Sequence, residues 1–283
     1  MSETWTPLRL LGWTQEFFAK KGVDAPRLTA ELLLADALGC DRVRLYLDFD
    51  KPLGEPELAK YRELVRRRAE GEPTAYLVGR REFYGRPFEV DARVLVPRPE
   101  TEEVVEAALA ALPPEGGRAL DLCTGSGVVA VTLSLERPDA HVLATDVSPE
   151  ALEVARANAR TLGATVDFRA GDLWDAVPPE ERFHVVVSNP PYVPTGELAG
   201  LSREVRREPR LALDGGPDGL AVLSRIVKGA PARLLPGGKL VLEMHESHLA
   251  PLPSLCEEAG FREVSVRKDL AGLPRFIVAA MEP

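Results

Sequence analysis

Asp121-Leu122-Cys123-Thr124-Gly125-Ser126-Gly127 is the stretch on which the reading of this chain turns. It continues the apolar run from Arg118 and precedes Val128-Val129-Ala130-Val131, so a short strand passes through a glycine-rich turn into a helix. Glycines at this point let the backbone turn tightly and approach a ligand closely. A second apolar run, His141–Thr145, ends at Asp146, where an acid can take both ribose hydroxyls of a nucleoside. Glycine loop and acid together point to adenosine. The loop is shorter than G-x-G-x-x-G, and the chain has no G-x-x-x-x-G-K, so neither a dinucleotide nor a nucleoside triphosphate is favoured. S-adenosyl-L-methionine carries no phosphate, and Asp121 at the mouth of the loop would not repel it. The expected cofactor residues are therefore Asp121, Cys123, Thr124, Gly125, Ser126, Gly127 and Asp146. Asp172, Leu173 and Trp174 follow the third strand and are expected beside the adenine; which of Leu173 and Trp174 makes the contact is open, since Trp174 also reads as packing.

Outward from this loop the pattern alternates strand and helix. Strands are expected at Arg118–Leu122, His141–Thr145, Thr165–Arg169, Phe183–Ser188 and Lys239–Met244, with the longest helix at Pro149–Leu162. Glu263–Arg267 and Arg275–Ala280 are joined by too few residues for a parallel crossover, so they should pair antiparallel. Residues before about 80 follow helical spacing, as in Leu10, Trp13 and Phe17 or Ala30, Leu33, Leu34, Ala37 and Leu38, and read as a small bundle. Residues 81–97 read as a hairpin, with turns at Gly85-Arg86-Pro87 and Asp91-Ala92-Arg93, followed by a helix from Pro99 to Leu112. The expected architecture is α/β: a seven-stranded Rossmann-like methyltransferase sheet with its last two strands antiparallel, a helical domain over 1–80, a hairpin linker over 81–98 and a cofactor domain over 99–283.

Composition bounds the function. The 283 residues suit about two domains at roughly 150 residues each. A net charge of −9 disfavours binding to nucleic acid through phosphate neutralisation. Two arginine clusters, at 62, 66, 67 and 68 and at 203, 206, 207 and 210, read mainly as solvated helix faces interleaved with glutamate. The apolar runs fall short of the ~18 residues of a membrane span, and no signal peptide is visible at Met1-Ser2-Glu3-Thr4. Three scattered cysteines, Cys40, Cys123 and Cys256, read as reduced thiols, so a cytoplasmic protein is expected. The chain has one Gln and two Asn, Asn158 and Asn189, beside 25 Pro, a bias shared by thermophilic proteins and GC-rich genomes.

That bias singles out Asn189-Pro190-Pro191-Tyr192, which follows the fourth strand at the end where open α/β sheets place ligands. A carboxamide nitrogen is a poor nucleophile because its lone pair is delocalised into the carbonyl. The Asn189 side-chain oxygen and the Pro190 carbonyl can each accept one N–H of such a group, aligning it for methyl transfer. The proline ring fixes φ and so presets the carbonyl direction. Tyr192 can stack on the planar amide and exclude water. No strong base is needed, and the rate should come from alignment and preorganisation. Adenine N6 is also a planar conjugated NH2, so a nucleic-acid amino-methyltransferase competes with a protein one, as does a plain nucleoside-binding module.

These motifs resemble the release factor glutamine methyltransferases over nearly the whole chain. The resemblance rests on Asn189–Tyr192 together with Phe83-Tyr84-Gly85, Val96-Pro97-Arg98-Pro99-Glu100-Thr101-Glu102, Leu213-Asp214-Gly215-Gly216 with Asp218-Gly219, and Lys268-Asp269-Leu270-Ala271-Gly272. It implies methylation of the glutamine in the Gly-Gly-Gln loop of class I peptide chain release factors, gripped by the N-terminal bundle. It also implies Arg98, Thr101 and Glu102 near the cofactor and Phe83 with Pro191 near the substrate, in a monomer with no stable nucleic acid or membrane partner. Bottom-up, Arg98 and Glu102 serve equally as capping and solvating groups of the following helix. A ribosomal protein is the rival substrate. Two departures stand out. Cys123 replaces the usual Gly, and Glu243-Met244-His245-Glu246-Ser247-His248 lacks the usual Gly and Gln. The latter reads as a polar strand exit rather than a metal site.

Overall fold

The computed structural model describes residues 4–269 and 272–283. Met1-Ser2-Glu3 and, within the Lys268–Gly272 motif, Leu270 and Ala271 lie outside the described residues. The chain divides into two compact units: residues up to Arg80 with Ser202–Arg207, and Arg81–Leu201 with Glu208–Pro283.

The first unit is helical, with α1 (Pro7–Lys20), α2 (Pro26–Leu38), α3 (Arg42–Leu47), α4 (Glu55–Ala69) and α5 (Thr74–Val78). Prolines open α1, α2 and α4, where the missing N–H costs nothing, and Gly39 ends α2 in the left-handed region. Leu10, Phe18, Leu33, Leu34, Leu45, Tyr61, Leu64 and Val65 form its core. The arginines of α4 are spent locally: Arg66 on Glu63 and Glu70, Arg67 on Glu72, and Arg68 on Glu204. Arg68 is buried and so departs from the expected solvated face. The segment 203–210 is not one helix but short 3-10 turns, Val205–Arg207 and Arg210–Ala212, separated at Pro209.

The second unit opens with a hairpin, β1 (Arg80–Phe83) and β2 (Arg86–Glu89). Its turn is Tyr84-Gly85, both at positive φ (52° and 69°), the two-residue turn whose twist matches the strands. The expected turn at Gly85–Pro87 lies one residue late, because Pro87 sits inside β2. The main sheet has order β5-β4-β3-β6-β7-β9-β8. Its strands are β3 (Arg118–Leu122), β4 (His141–Asp146), β5 (Asp167–Ala170), β6 (Phe183–Ser188), β7 (Leu234–Glu243), β8 (Glu263–Lys268) and β9 (Pro274–Ala280). β3 to β7 run parallel, and β9 pairs antiparallel with both β7 and β8, as the short β8–β9 link requires. β7 starts five residues before the expected Lys239. Leu234 pairs with Phe183 before a register shift, and Gly237 at φ 69° turns the chain within that strand.

Alternation along the strands divides the core. Val185 and Val187 face α6 (Thr101–Ala111) and α7 (Val128–Glu136), in a cluster that also holds Val104, Val105 and Leu133. Val186, Leu240 and Leu242 face the other side, with Leu223, Ile226 and Val227 of α9 (Ala221–Gly229) and Leu252 of α10 (Pro251–Glu258). Phe83 and Phe88 meet edge to face at 6.0 Å within the first cluster, and both are fully buried. The expectation that Phe83 meets substrate therefore gives way: its ring is committed to the core. No helix among the described residues is long and apolar enough to cross a membrane.

Candidate active site

The strand order reverses at β3, which has β4 on one side and β6 on the other. Chains leaving β3 toward β4 and β6 toward β7 diverge there and open a crevice, the usual ligand position of an open α/β sheet. A cavity of about 290 Å³ lies in it, lined by Asp121, Cys123, Thr124, Gly125, Ser126, Asp146, Asp172, Leu173, Thr101 and Asn189 of the expected residues.

The glycine loop is held by its acids. Asp121 is buried and accepts from the Thr124 hydroxyl at 2.6 Å and the Ala130 N–H at 3.2 Å. Burial, reinforced by the charge of Asp146, pushes its carboxyl up to about 7. Asp146 accepts from the Gly125 N–H and the Ser148 N–H, each at 2.9 Å, and burial raises its pKa as well. Each Asp146 oxygen keeps a lone pair for a further donor such as a ribose hydroxyl. The two arginines on the wall are already paired, Arg225 with Asp172 at 2.8 Å and Arg93 with Asp91 at 2.7 Å. Of the three acids on its wall Asp172 is neutralised by Arg225 and Asp121 is bonded inward, so Asp146 is the one left to meet a ligand, and among the described residues the wall holds no lysine for a phosphate. Val128, Val147, Ala151, Leu211 and Val222 complete an apolar lining suited to a purine. This donor set fits S-adenosylmethionine: Asp146 for the ribose, an apolar slot for adenine and, among the described residues, no lysine for a phosphate.

The Asn189–Tyr192 segment leaves β6 against this cavity, and Asn189 and Pro191 line it. The Ser188 hydroxyl donates to the Leu122 carbonyl at 2.6 Å and fixes the strand end. The Asn189 Nδ2 donates to Thr101 Oγ1 at 3.3 Å, and Thr101 Oγ1 donates to Glu243 Oε2 at 2.7 Å. The Tyr192 hydroxyl donates to Glu243 Oε1 at 3.3 Å. Glu243 is 3% exposed, and burial pushes its carboxyl up to about 7. Behind the segment lies the glycine-rich stretch. Val193 N–H donates to the Leu213 carbonyl at 2.9 Å and Gly215 N–H to the Val193 carbonyl at 2.8 Å. A Cβ on Gly215 would stand 2.7 Å from the Tyr192 Cα. The two motifs, some 25 residues apart, are one packed unit.

Several expected residues do not reach the cavity. Arg98 donates to the buried Glu208 at 2.7 Å, while Glu208 also accepts from the Val96 N–H, so this pair ties down the chain before α6. Gly127, at φ 82°, caps α7, and its missing side chain admits Ala155. Trp174 turns away: its Nε1 donates to the Arg225 carbonyl at 3.0 Å, and its ring lies against Gly229. Leu173 is the one of that pair that lines the cavity, at φ 52°. The Pro190 ring is buried and the Tyr192 hydroxyl is tied inward to Glu243, so neither of these side chains lines the cavity. His245 accepts from the Ser247 N–H and caps a short turn. Sequence reasoning missed Asn158. Its amide donates to the Glu89 and Ser126 carbonyls (3.0 and 2.9 Å) and accepts from the Glu89 N–H at 2.7 Å, joining β2 to the glycine loop. Its rarity as an asparagine was the available signal.

Fold and cavity together define an S-adenosylmethionine-dependent methyltransferase. Residues 9–79 match the family model described as PrmC N-terminal domain, and residues 103–203 match Methyltransferase small domain. A release factor glutamine methyltransferase of Rhodopirellula baltica is 43% identical, with 96% of this chain and 95% of that one covered. One of Geobacter sulfurreducens is 44% identical, with 97% and 96% covered. Among solved structures, a methyltransferase from Pyrococcus furiosus superposes with a TM-score of 0.54 at 22% identity, over 71% of this chain and 91% of that one. A 16S rRNA N2 G1207 methyltransferase of T. thermophilus, solved with AdoMet and guanosine, gives 0.54 at 21% identity over 72% and 50%. These two show the fold alone. The chain belongs to the release factor glutamine methyltransferase family.

Proposed function

We propose that this protein transfers the methyl group of S-adenosyl-L-methionine to the side-chain amide nitrogen of a release factor glutamine, the one in the Gly-Gly-Gln motif. The observation that carries this reading is the Asn189 amide: its nitrogen is engaged by Thr101, which leaves Oδ1 as an acceptor at the cavity. Asn189 Oδ1 and the Pro190 carbonyl take the two N–H groups of the incoming carboxamide and turn its nitrogen toward the cavity. The cofactor supplies an electrophilic methyl on a sulfonium. With the donor bound, the nitrogen aligned by Asn189 and Pro190 would take the methyl, and the C–S electron pair would stay on sulfur. The N-methyl amide cation is strongly acidic and loses its proton without a dedicated base. Asp146 takes the ribose, Asp172 and Leu173 flank the adenine, and Asp121 with Cys123–Ser126 shapes the loop around the amino acid portion. Residues 1–80 recognise the release factor, 81–98 link, and 99–283 catalyse, in a cytoplasmic monomer.

The test uses cofactor with a labelled methyl, offered with release factors, ribosomal proteins, tRNA and DNA. Label should appear on the release factor alone; label on nucleic acid or a ribosomal protein instead would overturn the assignment. Asn189→Ala should lower kcat by about 100-fold or more, the scale of a lost alignment, with cofactor affinity little changed. Undiminished turnover would remove Asn189 from the mechanism.

A further inference from the structure

We infer that Glu243 is a positioning residue that fixes which way round the Asn189 amide stands, acting through Thr101. The inference rests on the reaction proposed above. An asparagine side chain is nearly symmetric in shape, and a half-turn would present NH2 to the substrate NH2, donor against donor. The Asn189 environment must therefore distinguish N from O. A threonine hydroxyl has one proton. Here that proton is committed to Glu243 Oε2 at 2.7 Å, so Thr101 Oγ1 offers Asn189 only lone pairs. It can accept from Nδ2, as it does at 3.3 Å, and cannot donate to Oδ1. The second Glu243 oxygen receives the Tyr192 hydroxyl, so one buried carboxylate orients both ends of the Asn189–Tyr192 segment.

The polarity of this relay depends on Glu243 being a pure acceptor. Protonated, it could donate to Thr101, free the threonine proton and let the amide reverse. The groups around it are the Thr101 and Tyr192 hydroxyls and Glu100 and Arg98 before α6; Arg275 on β9 pairs with Asp269 and lies 3.9 Å from Glu100. Burial and Glu100 raise its pKa to about 7, so the orienting form is lost as pH falls below that value.

The chain's composition makes this visible without substrate. Gln15, Asn158 and Asn189 are its three side-chain carboxamides, so a 15N–1H spectrum of the full chain should show three NH2 pairs. Glu243→Gln, which adds a fourth pair of its own, and Thr101→Val should each shift the Asn189 pair and leave those of Asn158 and Gln15 in place. Thr101→Ser, which keeps the hydroxyl, should restore it. In the transfer assay the first two variants should lose on the order of 10- to 100-fold in kcat, and in Glu243→Gln, at a residue off the cavity wall, cofactor affinity should stay within about twofold. Glu243→Gln should remove the Glu243 contribution to the acid limb of the wild-type pH–rate profile near 7, and what is left of that limb should be the part set by Asp121. An Asn189 pair unmoved in both variants would overturn the inference whatever the assay shows. A shifted pair alongside a wild-type protein that fails to label release factors would leave the relay standing and sink the substrate reading instead.

Discussion

Cys123 has φ 59°, a left-handed backbone that glycine adopts freely and a residue with a Cβ does not. It lies on the wall of the cavity. Cys123→Gly should relieve this strain and raise stability by about 1 kcal/mol, offset in part by the freer unfolded chain. Thermal unfolding checks it, and a lowered midpoint would mean that packing of the thiol outweighs the backbone. At this scale the sequence spoke through types and rarity. Asp121, Gly125 and Asp146 were legible because loop and acid lie at fixed places after successive strands. Asn189 was legible because asparagine is otherwise avoided, and the same argument should have reached Asn158. Glu243 was not legible: its partner Thr101 is 142 residues away, and only the pairing of strand end and helix start brings them together. Arg98 and Trp174 were misplaced because a side chain one position from a lining residue on an irregular segment can point either way.

Elements with a clear period were the ones that sequence placed well. β3 and β6 have the expected bounds, since fully buried parallel strands read as continuous apolar runs. α8 (Pro149–Leu162) does too, capped by Ser148, whose hydroxyl accepts from the Ala151 N–H, and ended by Gly163 at φ 77°. The early start of β7 and the hairpin turn were missed, because glycine and proline there read as punctuation while the pairing partner alone decides the register. The glycine-rich stretch after the 3-10 turns shows an element whose purpose sequence could not state. Its glycines admit the Tyr192 backbone, which is why it accompanies the Asn189–Tyr192 motif. Gly215→Ala should therefore cost about 1–3 kcal/mol of stability from overpacking, and should displace Tyr192. Turnover should fall by a larger factor than cofactor affinity when both are measured on the folded variant. Equal losses, or none, would contradict the packing argument.

For the molecule as a whole, an acidic surface and an acid-lined cavity set the ligand class. Asp146 at the crevice suits the ribose of a methyl donor, and among the described residues that wall holds no lysine to favour a nucleotide. Everything proposed for the chemistry depends on how that donor stands between Asp146 at one end and Asn189 at the other. A crystal structure with S-adenosylhomocysteine measures this directly. The account predicts ribose hydroxyls on the Asp146 carboxylate, adenine between Val147 and Leu173, and the sulfur at the edge formed by Asn189. Ligand bound in the reverse sense, with adenine against Asn189, or bound outside this crevice, would contradict it.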